Sequence, residues 1–176
     1  MTTILNCLLL CLAFVWDASP ASTTFQKLVS NTESLLVGVA NEMPADKYDF
    51  VPNGGEFRGV RSFGAQLKHA AAVQYLVANS ILGEPISAEM SDERGPDAAR
   101  SKVDVVAYLQ GSFASLHRAA ATVDDRNAFT PIKGVFGSES ATRAGLIAGA
   151  LAHSSNHYGQ AVEYLRMNGI VPPATR

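Results

Sequence analysis

Past position 11 the chain contains no cysteine; its two cysteines are Cys7 and Cys11. A mature product that begins downstream of them has no disulfide, no thiolate nucleophile and no cysteine metal ligand. Charge is scarce as well. Charged residues make up 17% of the chain and the formal net charge is -2. No basic surface is therefore available to neutralise phosphates, and nucleic acid is not an expected partner. Nor is there an internal repeat or a low-complexity tract. The apolar run from Ile4 to Trp16, broken only by Asn6, falls short of the roughly 20 residues that cross a bilayer.

What that run does resemble is the apolar core of a secretory signal peptide. Ser19-Pro20-Ala21 follows, with small residues where a cleavage site needs them. No Lys or Arg precedes the run, so the α-amino group alone is positive there. The pattern predicts a signal peptide over residues 1–21 and a mature domain over 22–176. That domain is expected to be periplasmic or secreted, with no stable membrane anchor once the signal is removed.

The remainder is globular in composition, with 47% hydrophobic residues over the whole chain, and long enough for a single domain with a substantial core. Its apolar residues recur at helical spacing, and no strand signal competes. Phe25, Leu28, Leu35, Leu36 and Val39 predict a first helix that ends before Pro44. A loop over residues 44–60 follows, with Tyr48 and Phe50 expected to plug one end of the core. Ser62 is placed to cap a second helix running to about Leu82, where Gly83 stops it. Residues 84–96 read as a polar loop. Ser101 and Asp104 resemble a capping box for a third helix with Val105, Leu109, Phe113, Leu116, Ala120 and Val123 as its apolar series. After a loop over 124–140, a fourth helix is expected from about Ala141 to Asn168, closed by Gly169 and Pro172-Pro173. The fold class is therefore all-α, a four-helix bundle.

Four histidines remain to be placed. His153 and His157 are four apart, one turn of helix on one face. Two readings fit that spacing: a shared metal ion, or two imidazoles satisfied by neighbouring carbonyls. On a helical wheel they share a stripe with Leu146, Ala150, Gln160 and Tyr164, at the edge of the core rather than in bulk water. His69, two turns into the second helix on a stripe with Gln66, Val73 and Leu76, is the natural third ligand. Three neutral histidines with an open position is the pattern of catalytic zinc, and it suits nickel or iron as well. His117 has no partner in sequence and reads as an ordinary surface or core-edge histidine.

The segment Met43-Pro44-Ala45-Asp46-Lys47-Tyr48-Asp49-Phe50-Val51-Pro52 resembles the first loop of the DinB-like family of damage-inducible metal-binding bundles. Arg61-Ser62-Phe63-Gly64-Ala65-Gln66-Leu67-Lys68-His69-Ala70 is similar to the start of that family's second helix. His153-Ser154-Ser155-Asn156-His157-Tyr158-Gly159-Gln160, with the tail from Tyr164 to Pro173, resembles its closing helix. The resemblance covers most of the chain after the signal. It implies His69, His153 and His157 as metal ligands, a homodimer, and nickel, zinc or another divalent ion such as iron or manganese. It also implies thiol-dependent transfer in some members, although this chain shows no thiol-binding signature.

The chemistry expected of such a site is metal-dependent hydrolysis of a small molecule whose identity is open. Gln66, Asn156, Gln160 and Tyr164 are the residues expected to surround the ligands or face a substrate, with core-edge packing the competing reading for Gln160 and Tyr164. The residues between the paired histidines, Ser154, Ser155 and Asn156, include no general base. The alternatives are a non-catalytic, stress-related metal-binding protein, or a thiol-dependent transferase.

Overall fold

The structure is a computed structural model that describes residues 18–135 and 140–173. The apolar run with Cys7 and Cys11 lies outside them. Helix α1 spans Pro20–Glu42. Ser19 caps it: its Oγ accepts from the Ser22 amide at 3.0 Å, and it also ties the helix start to a distant segment by donating to the Val123 carbonyl at 3.1 Å. The segment read as a cleavage site is thus the cap and first turn of α1. Pro20 occupies a position where the missing N–H costs nothing.

A short 3-10 turn, Ala45–Lys47, leads out of α1. Tyr48 then folds back, donating its hydroxyl to the Ala40 carbonyl at 2.6 Å, and it is buried with its ring edge-on to Phe63. Phe50 packs edge-on against Tyr164. The expected core plug is present.

Helix α2, Phe63–Leu82, begins at the Ser62 cap and ends at Gly83, whose φ of 70° is the left-handed conformation glycine adopts without strain. Consecutive residues Ala70, Ala71, Ala72, Val73 and Gln74 are all buried. A helix covered on every side is a central helix. A single turn, α3 (Ala88–Ser91), interrupts the segment read as a loop, because Ser87 caps it. Helix α4, Lys102–Ala121, carries the capping box expected at Ser101 and Asp104.

Residues 124–140 differ from their reading as loop. Strands β1 (Pro131–Lys133) and β2 (Ser140–Thr142) pair antiparallel, with Pro131 opposite Thr142. The second strand delivers the next helix two residues later than expected. Helix α5 spans Arg143–Met167, because the Thr142 hydroxyl accepts from the Gly145 amide at 3.1 Å and sets the cap there. The all-α bundle stands, with this small hairpin added.

Helices α1 and α2 each pack on both α4 and α5, so α1 and α2 are diagonal and need the long connection between them. The α2–α4–α5 junction is pinned by a buried polar link. Gln74, fully buried, donates to Ser154 Oγ at 2.8 Å and accepts from Ser112 Oγ at 2.7 Å. Satisfied polar groups of this kind fix the register of three helices, and Ser154 adjoins His153.

Candidate metal centre

The facing helices α2 and α5 bring together the three histidines singled out from sequence. His69 lies in the second turn of α2, and His153 and His157 lie one turn apart in the middle of α5. Their Nε2 atoms converge: His69 to His153 at 3.1 Å, and His157 to His153 at 2.9 Å. Tetrahedral bonds of about 2.0–2.1 Å place ligand nitrogens about 3.3 Å apart. The observed spacing matches a set closing on one ion, and the three rings stand edge to face around that point.

The protonation states fit as well. His69 Nδ1 lies 2.8 Å from the Glu93 carbonyl. A carbonyl only accepts, so Nδ1 carries the proton and Nε2 presents its lone pair inward. This is the outer-shell contact that orients a metal-bound imidazole. The Nδ1 atoms of His153 and His157 are buried with no partner among the described residues, so on that side packing sets their rings.

Burial lowers all three imidazoles from their ordinary range. His153 falls to about 4 and His157 to about 3, with mutual repulsion and the charge of Arg61 adding to the desolvation. His69 is lowered by the same burial, against the pull of the Glu93 carbonyl. Neutral imidazole is the metal-binding form. It also means that the 3.7 Å approach of Glu93 Oε2 to His69 Nδ1 is not an ion pair at neutral pH.

A pH dependence follows for the protein held in chelator. In the unfolded chain these histidines take up protons near pH 6.5, whereas folded His153 and His157 stay neutral until about 4 and 3. Between those limits the unfolded state binds more protons, so stability is full above about pH 6.5 and declines as pH falls below it. The carboxylates with lowered values, Glu84, Asp104 and Asp124, act only in their own lower range. Thermal melts in chelator at pH 7 and pH 5 are expected to show a loss that shrinks in His157→Gln. An identical loss in that variant would exclude the cluster as its source.

Glu93 carried no signal in the sequence and is the main addition. Its backbone lies at φ 54°, the left-handed region, and it is the one non-glycine residue there among those described. The next turn is tightly seated: a Cβ on Gly95, φ 66°, would meet the Tyr108 ring at 2.9 Å. Fixed between α2 and α4, this turn aims the Glu93 carbonyl at His69 and sets its side chain at the rim of a cavity beside His153.

The four accompanying residues divide. Gln66, buried, donates to Gln160 Oε1 at 2.5 Å, and Gln160 donates to Asn156 Oδ1 at 2.6 Å. The chain of amides runs alongside the histidines from the interior to exposed Asn156 and Gln160. Tyr164 is buried, and its hydroxyl is committed to the Arg61 carbonyl at 3.0 Å. His117 lies elsewhere, bracing α4 to α1: its Nδ1 faces Gln26 Oε1 and its Nε2 approaches Glu33 at 3.1 Å.

The family model described as the DinB superfamily matches residues 28–161. That span contains all three histidines. No curated protein matches the chain.

Proposed function

This chain belongs to the DinB superfamily, and from that premise we propose that it is an exported hydrolase dependent on a divalent ion, nickel or zinc, at His69, His153 and His157. The observation that carries the reading is the convergence of three neutral imidazoles on one point, beside a cavity that His153 helps to line. An ion bound there supplies a water acidified towards neutrality and a Lewis acid for the substrate.

The other parts belong to the chain itself. The Glu93 carbonyl holds His69 in the ligating tautomer. Glu93, which lines the same cavity, offers a carboxylate for the role of proton acceptor, for which the paired-histidine segment offers no residue. Asn156 and Gln160 present amides at the exposed end and orient a polar group there.

The test is hydrolysis of small ester and amide probes, beginning with p-nitrophenyl acetate, by zinc-loaded, nickel-loaded and chelated protein. The rate should follow metal content. Glu93→Gln, which keeps the backbone carbonyl, should retain the ion and lower kcat by about 10²–10⁴-fold. A rate indifferent to chelation would sink the hydrolase reading. Full metal occupancy without turnover on any probe would favour the non-catalytic binding protein.

Export makes a separate prediction. Cleavage after Ala21 would leave Ser22 as the first residue and remove the Ser19 cap from α1. Loss of a serine cap costs about 0.5–2 kcal/mol. A chain beginning at Ser22 should therefore melt below one beginning at Ala18. Mass analysis of protein recovered from its native cell should find the Ser22 start, and an intact Met1 would refute it.

A further inference from the structure

Beside His153 lies a cavity of about 450 Å³, within the usual range of small-molecule sites. Its walls are aliphatic, with Val73 and Val77 from α2 and Leu146 and Ala150 from α5. Among the described lining residues, Glu93 and His153 supply the polar side chains. No Lys or Arg is among the described lining residues.

Gly149, exposed at the mouth of this space, is where the space can be filled. It lies one turn before His153 on α5 and lines the cavity. A Cβ built there meets nothing within 4 Å. Packing therefore does not require glycine, although glycine inside a helix costs up to about 1 kcal/mol relative to alanine. Gly145, which also lines the cavity, is different, because its Cβ would meet the Thr142 cap at 3.0 Å. What a side chain at 149 would remove is free volume next to the metal centre.

From this we infer that the site takes a neutral small molecule with an apolar, aryl or branched-aliphatic body seated in the cavity and a hydrogen-bond donor directed at Glu93. A polar body would lose its hydration against Val73, Val77 and Leu146 without replacement partners. With the ion removed, an anionic head would face the Glu93 carboxylate with no cation among the described lining residues to offset it. A cationic head would meet an ion-loaded centre with Arg61 nearby. A neutral donor suits both neighbours. The inference deepens the proposed function and rests on it for the role of this molecule as substrate; binding in the cavity does not need the ion.

The experiment measures binding of benzamide, acetamide and benzoate to the full chain in chelator by calorimetry or ligand-observed NMR. Zinc-loaded protein is then measured with the two amides. Benzamide should bind at least about tenfold more tightly than acetamide in both forms, the discrimination an apolar pocket gives for added hydrocarbon. It should also bind more tightly than benzoate in chelator. Gly149→Leu fills the cavity, and Leu is a better helix former, so that variant should keep its melting temperature and zinc content while losing the preference for benzamide. Gly149→Ala should fall between. Glu93→Gln should narrow the gap between benzamide and benzoate. Equal binding of the two amides, tighter binding of benzoate, or an undiminished preference in Gly149→Leu would each overturn the inference. Failure to bind zinc would instead strike the metal reading and leave the chelator measurements standing.

Discussion

His157→Ala is expected to take the protein from one divalent ion per chain to almost none. His157 supplies one of three converging nitrogens, 2.9 Å from that of His153, and it is buried. Loss of an outer-shell partner alone lowers metal affinity by about 10–100-fold, and removing a ligand should exceed that. The loss should be visible without any assay of activity. At free metal one hundred times the dissociation constant, binding adds about 2.7 kcal/mol of stability. For a chain of this size that is worth about 5–11 °C in melting temperature. Wild type should lose this increment on chelation, and His157→Ala should have none to lose. His117→Ala, outside the site, should behave as wild type towards metal. Elemental analysis of the three proteins decides the matter: equal metal content in wild type and His157→Ala would refute the ligand set. Complete unfolding of wild type on chelation at neutral pH would show that the ion is needed for the fold, against a core built from four helices.

The parts of this architecture that could be read from sequence are those written locally. Ser62 and Gly83 bound α2, and Ser101 with Asp104 opens α4, because a cap is decided within about four residues of chain. The pair His153 and His157 is local in the same way. His69 needed the wheel of a second helix and the family resemblance. What stayed hidden depends on contacts distant in sequence. Glu93 reaches His69 across 24 residues, and its unusual backbone is held by a glycine turn seated on α2 and α4. Nothing in the local run Asp92-Glu93-Arg94-Gly95 announces this. His117 finds its partners 84 and 91 residues away. Strands of three residues, such as β1 and β2, are too short for alternation to register. The helices and the three clustered histidines were legible in the sequence. The contacts these helices receive from the loops were not legible, among them the Glu93 carbonyl on His69.

The second large effect is expected at Phe63, and it ties the core to the site. Phe63 opens α2 and is fully buried. Its ring lies 5.2 Å from that of Tyr48, edge to face, and 6.4 Å from that of Tyr164. Each neighbour holds a different strut: the Tyr48 hydroxyl is bonded to Ala40 in α1, and the Tyr164 hydroxyl to Arg61 just ahead of α2. Truncation to alanine therefore removes the wedge between the 44–60 connection and α5. Phe→Ala in a core costs about 3–5 kcal/mol, of which aromatic pairs of this kind account for roughly 0.5–1.5 each beyond area burial. Out of a total stability of about 5–15 kcal/mol typical of a domain, that is enough to bring the protein near its unfolding threshold. Phe63→Leu, which keeps most of the apolar volume, should cost markedly less. The damage should reach the metal centre as well, since His69 lies less than two turns further along α2 and Arg61, whose charge bears on all three imidazoles, loses its backbone support. Denaturant unfolding of the three proteins in chelator, followed by zinc titration of those that remain folded, separates the two effects. A Phe63→Ala protein within about 1 kcal/mol of wild type, below the range set by cavity formation, would mean that the connection closes over the missing ring and that this wedge does not hold the bundle's end together.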